Sequence, residues 1–127
     1  MAAVPLILVV DDDPDVCALL GRALGGEGYE VETALDGHVA LAFCARRVPD
    51  LVLLDLMMPQ MDGELFATAL RVQLGDRTPP IVLLSASQIR DQVATAVGAA
   101  GMIEKPFDLD ELRETVAQVC KPPPRTP

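Results

Sequence analysis

LILVVDDDP, residues 6–14, sets an unbroken aliphatic run against three acids and a proline. A run with no polar face suits a strand covered on both sides, as in parallel sheets flanked by helices. Asp13-Pro14 then reads as a helix start, an N-cap acceptor followed by proline at the first helical position. Strand, acidic turn and helix in one short stretch predict an α/β unit, with Asp11 and Asp12 at the carboxyl end of its strand. In open α/β sheets that edge is where ligands bind.

The same grammar repeats along the chain. Period and punctuation predict five strands alternating with five helices, the strands being Leu6–Val10, Tyr29–Thr33, Leu51–Leu54, Ile81–Leu84 and Met102–Glu104. Four of them are nearly unbroken apolar runs, expected to be covered on both faces. Tyr29-Glu30-Val31-Glu32-Thr33 alternates instead, which marks an edge strand. Gly25-Gly26 ends the first helix, Thr78-Pro79-Pro80 stops the third, and Asp108 caps the last. On that last helix Leu109, Leu112, Val116 and Val119 share one face. Alternating strands and helices imply a parallel sheet with right-handed crossovers, a three-layer, doubly wound α/β fold.

The chain is 127 residues long and half hydrophobic, enough for one domain with a real core, and at 3% aromatic that core must be aliphatic. Residues 1–120 are read as that domain. The segment 121–127, KPPPRTP, is read as a Pro-rich tail or the start of a linker. A net charge of −9 argues against direct nucleic-acid contact, which needs a basic face. Cys17, Cys44 and Cys120 suit neither a disulfide framework nor a CxxC metal site, and are read as small buried apolar residues in a reducing compartment. No apolar run approaches the ~20 residues of a membrane span, and the N-terminus lacks the basic start of a secretory signal. The expected location is cytoplasmic, with no membrane partner.

Four strand ends carry the chemistry: Asp11 and Asp12 after LILVV, Asp55 after LVLL, Ser85 after IVLL and Lys105 after GMIE. Asp55 is the candidate nucleophile, because a carboxylate can take a phosphoryl group to give an aspartyl phosphate. Asp11 and Asp12 are candidate metal ligands, since Mg²⁺ prefers oxygen and relieves the repulsion of crowded acids. Asp13 has a competing task as N-cap. Ser85 can donate a hydrogen bond to a phosphoryl oxygen, and Lys105 can neutralise another. Each residue alone has a bland reading: a turn-capping Asp, a loop of solvated acids, a helix-start Ser, a snorkelling Lys. Their joint order, each at a strand end, favours the site.

ILVVDDDP, LVLLDLMMPQMDG, IVLLSAS and EKPF together resemble the receiver domains of two-component response regulators, a resemblance running from about Leu6 to Val119. It implies a flavodoxin-like five-stranded sheet of order 2-1-3-4-5. It implies Asp55 as phosphoacceptor, with Mg²⁺ (or Mn²⁺) held by Asp12 directly, by Asp11 mainly through water, by Asp55 and by the backbone carbonyl of Met57. Ser85 would be the switch hydroxyl and Lys105 the charge-neutralising lysine, with a cis bond to Pro106. The implied partners are a sensor histidine kinase or phosphotransfer protein and a downstream target or output domain. A homodimer formed on phosphorylation is also within the family's range. Phosphorylation would alter the face made by the helix before the fifth strand, that strand and the final helix. On this reading the chain is a signalling module that catalyses only its own phosphorylation and dephosphorylation.

Two departures stand out. Met102 occupies the position where the family often has a Tyr or Phe that rotates inward, so an aromatic flip cannot occur. The stretch at Ala100-Gly101 lacks the Asp residues of the family's winged-helix transcription factors, and the last helix is not basic, which argues against their dimerisation mode. His38 is expected on the surface of the second helix. One rival reading is a haloacid-dehalogenase-like phosphatase, with Asp11-Asp12-Asp13 as its DxD; Asp15 stands where that motif wants Thr or Val, and an acidic pair on a later strand is missing. The other rival is a receiver-like interaction module that is never phosphorylated.

Overall fold

Side-chain alternation along the strands builds two cores, one on each face of a single sheet. The computed structural model describes residues 4–56, 58, 61, 63–86 and 98–120. Strands β1 (Leu6–Val10), β2 (Glu30–Ala34), β3 (Leu51–Asp55), β4 (Ile81–Ala86) and β5 (Gly101–Lys105) pair in parallel, in the order β2-β1-β3-β4-β5. That is the order the resemblance implies. Ile7, Val9, Leu51, Leu53, Val82 and Leu84 face one core, and Leu8, Val10, Val52, Leu54, Ile81 and Leu83 face the other.

Helices α1 (Pro14–Gly25) and α4 (Leu109–Val119) cover the first face through Leu20, Leu24, Leu112 and Val116. Helices α2 (Gly37–Arg46) and α3 (Gly63–Leu74) cover the second through Ala40, Cys44, Phe66 and Leu70. This is the three-layer doubly wound architecture. The helix expected between β4 and β5 falls on residues 87–97 and, like the tail 121–127, lies outside the described residues.

The caps follow the sequence. Asp13 accepts the amide of Asp15 and Pro14 opens α1, while Asp108 accepts the amides of Asp110 and Glu111 at the start of α4. Asp36 caps α2 through the amide of Val39 at 2.8 Å. Each such cap is worth roughly 1 kcal/mol by satisfying an amide the helix cannot.

Three expectations need correction. β2 begins one residue later than predicted, because Tyr29 gives its amide to the carbonyl of Leu24 at 3.3 Å rather than to a neighbouring strand, while its hydroxyl donates to the carbonyl of Cys120 at 3.2 Å. β5 is not covered on both faces: only Ile103 is buried, and Met102 and Glu104 are exposed. Pairing with β4 alone leaves it at the sheet's second edge. β3 and β4 also run further than predicted, so Asp55 and Ser85 sit within the strand ends rather than beyond them.

Leu53 is fully buried on the central strand. Leu53→Ala should lower unfolding free energy by about 2–5 kcal/mol, read from urea denaturation, through lost transfer energy plus the cavity left behind.

All three cysteines are free and buried, as the sequence reading expects. Burial, with the nearby charge of Asp11, pushes the Cys17 thiol up to about 11, and burial pushes Cys44 up to about 11. Burial also raises Cys120. Thiolates are therefore scarce at neutral pH. Iodoacetamide should leave the native protein unlabelled at all three positions and label them after unfolding in urea, as read by intact mass.

Candidate functional site

The strand register brings the sequence's candidates to one edge. Val10 stands beside Leu54 between β1 and β3, so Asp11 and Asp55 each follow a paired position. Asp55 stands beside Leu84 between β3 and β4, which puts Ser85 one residue further on. Ser85 in turn pairs with Glu104, and Lys105 closes β5. Asp11, Asp12 and Asp55 each place a carboxylate oxygen within 4.8 Å of the other two.

Burial divides these acids. Asp11 is 0% exposed and Asp55 5% exposed, whereas Asp12 faces solvent. A fully buried carboxylate is costly unless it is paired. Asp11 is paired twice, accepting the amide of Asp13 at 2.9 Å and the ammonium of Lys105 at 2.8 Å. The same ammonium stands 3.6 Å from Asp55 Oδ1.

Burial alone would lower the pKa of Lys105, but the Asp11 hydrogen bond and the charge of Asp55 outweigh it and hold the pKa above the ordinary lysine value. Lys105 is thus a cation at neutral pH. Its pairing contributes fully there, and that contribution is lost only as pH rises through the lysine range.

The donor set is chemically coherent. Three hard oxygen donors at this spacing could hold a small divalent cation, which takes one or two carboxylates and fills its remaining positions with water or phosphate. Ser85, 5% exposed, places a hydroxyl at the same edge. Met57 and Asp62 lie outside the described residues, as does Ser87, which flanks the site in the sequence. Asp13 keeps the capping role, and His38 is exposed on α2. Met102 is 38% exposed on β5. The Lys105–Pro106 bond is cis, as expected.

Two supporting features had no role in the sequence reading. Gly63, at the start of α3, donates its amide to the carbonyl of Leu56 at 3.0 Å. A Cβ there would meet the Leu56 Cα at 3.0 Å and the Asp55 carbonyl oxygen at 3.3 Å, so a side chain would push on the backbone that carries the acid. Its signal was the glycine ending MPQMDG. Cys17 donates its thiol to the Asp11 carbonyl at 3.4 Å, holding α1 against the same turn; nothing in the spacing of the cysteines marked that contact.

Repulsion within the cluster has a measurable consequence. In EDTA, Asp12→Asn should raise the urea midpoint, corresponding to a gain of up to ~1 kcal/mol in unfolding free energy, because one of three crowded charges is removed from an exposed position. A lower midpoint would mean that Asp12 makes a stabilising contact that outweighs the repulsion.

Residues 7–117 match the family model described as response regulator receiver domain. The chain is 46% identical over 110 residues to the transcriptional regulatory protein PrrA of Mycobacterium tuberculosis, covering 85% of this chain and 46% of that protein. It is 35% identical over 127 residues to the DNA-binding dual master transcriptional regulator RpaA of Synechocystis, covering 97% of this chain and 52% of that protein. The chain spans about half the length of these curated relatives. The expectation of no nucleic-acid contact therefore concerns this acidic domain and does not extend to a longer protein containing it. Among solved structures, the chemotaxis protein CheY4 of Vibrio cholerae aligns with a TM-score of 0.86 at 36% identity, over 92% of this chain and 99% of that one. The receiver domain of NtrX from Brucella abortus aligns at 0.78 with 34% identity, over 89% and 96% of the two chains. Motifs, sheet order, acidic edge and these matches converge: the chain belongs to the response regulator receiver domains of two-component signalling, a family of signalling modules.

Proposed function

We propose that Asp55 accepts a phosphoryl group from a phosphohistidine of a sensor kinase or phosphotransfer protein, and that the resulting aspartyl phosphate is the signal. The observation that carries this reading is the convergence of Asp11, Asp12 and Asp55 around the Lys105 ammonium. A carboxylate oxygen of Asp55 forms the new O–P bond as the P–N bond of the donor breaks. Lys105, already a cation within 3.6 Å of Asp55, neutralises charge on the transferred group. Ser85 supplies a hydroxyl donor to a phosphoryl oxygen.

Asp11, Asp12 and Asp55 would hold Mg²⁺, with the Met57 carbonyl completing the protein ligands. When bound, the ion supplies positive charge to the phosphoryl oxygens. Asp11 keeps Lys105 aimed at the cluster, and Gly63 keeps the turn after Asp55 close.

Output follows from the added charge. A phosphoryl group brings further negative charge and acceptor oxygens beside Lys105 and Ser85. Movement of Ser85 toward it shifts the end of β4 and, through its register with β5, the edge that carries Met102. With methionine in place of an aromatic, the change there is a repacking of a flexible thioether rather than a ring rotation. A downstream target or output domain reads that edge. A cytoplasmic site of action belongs to the same reading.

Incubation with Mg²⁺ and acetyl phosphate should add one phosphoryl mass to the intact protein. The adduct should be lost on adding EDTA before the phosphodonor, and absent in Asp55→Ala. An adduct that survives Asp55→Ala, or no adduct in the wild-type chain, would refute the assignment.

A further inference from the structure

The amino ends of β3 and β4 lie roughly one strand length, ~15 Å, from the acidic edge. There the end of α2, the segment leading to β3, and the end of α3 with its following 3-10 turn, Gly75–Arg77, enclose a cleft of about 360 Å³. Arg46, Arg47, Arg77 and Gln73 line it, with buried Cys44 and Leu74 among its walls.

The three arginines are not equivalent. Arg47 is spent on a two-pronged pair with Glu30, both contacts being 2.7 Å. Arg46 lies 5.9 Å from the centre of the Phe43 ring, and among the described residues neither it nor Arg77 has a carboxylate partner. Asp76 adjoins Arg77 in sequence without pairing to it. Basic residues near a helix C-terminus complement its dipole, which accounts for Arg46 in the last turn of α2. The dipole does not account for an open cleft between two unpaired guanidinium groups, in a chain whose net charge is −9. The volume falls at the low end of the ~300–1,000 Å³ usual for small-molecule sites, and three arginines set beside Cys44, Ala45, Val48 and Leu74 favour a charged occupant over a purely apolar one.

We propose that this cleft binds a small, multiply charged oxyanion of the phosphate class, with Arg46 and Arg77 as the recognising groups. Guanidinium presents forked donors that match phosphate oxygens. Arg47, fixed by Glu30, forms a preset rim. The site is independent of Asp55 and of its phosphorylation.

The test is a ¹H–¹⁵N NMR titration of the full chain in EDTA with sodium pyrophosphate, against sodium chloride at equal ionic strength. Saturable shifts should cluster at residues 44–48 and 73–77. The paired substitution Arg46→Ala with Arg77→Ala should weaken binding about tenfold or more. Arg22→Ala removes the same type of charge from α1, on the other face of the sheet, and should leave affinity unchanged. A parallel titration with ADP separates the sources: tighter binding than pyrophosphate points to a phosphate ester, and equal or weaker binding to a free polyphosphate. The proposal falls if the shifts merely follow ionic strength, persist in the doubly substituted protein, or arise only with a polyglutamate peptide.

Discussion

An ammonium wedged between two buried carboxylates governs the functional edge of this molecule. Asp11 is wholly removed from solvent, and Lys105 reaches it from the far edge of the sheet, three strands away in space. Such a pair contributes little net stability, since desolvating both ions offsets much of their attraction. Its effect is geometric. The ammonium draws the ends of β1, β3 and β5 toward one point, 2.8 Å from Asp11 and 3.6 Å from Asp55.

The rest of the fold supplies rigidity to that point. Successive residues of β1, β3 and β4 enter opposite cores, so shifting any of these strands by one residue would turn its apolar side chains into the wrong layer. Register is therefore over-determined at the positions from which Asp11, Asp55 and Ser85 project. The charge pattern follows the strand direction as well. Acids gather where α1 begins, beside the positive end of its dipole, and arginines gather where α2 and α3 end.

Much of this was legible in the residues because the governing signals are local. Aliphatic runs announced β1, β3 and β4; Asp13-Pro14 and Asp108 announced helix starts; and the placement of acids, serine and lysine at strand ends announced the site. What escaped was set by neighbours that sequence does not name. The short run Met102-Ile103-Glu104 looked like a covered strand, yet lying beside one partner only exposes two of its three side chains. Tyr29 reads as the first residue of β2, yet its amide is taken by the carbonyl of Leu24 and its hydroxyl by a carbonyl 91 positions away. The choice of Asp11 over Asp55 as the closer partner of Lys105 depends on ångström differences that no spacing rule encodes.

The burial of Tyr29 has a practical optical meaning. The chain has a single tyrosine and no tryptophan, so near-ultraviolet absorbance and emission come almost wholly from one phenol ring. That ring sits beneath the end of α4, bonded to the residue that terminates it. The protein thus carries a built-in chromophore that watches whether its last helix stays seated, and that lies remote from the acidic cluster whose chemistry an added dye would disturb.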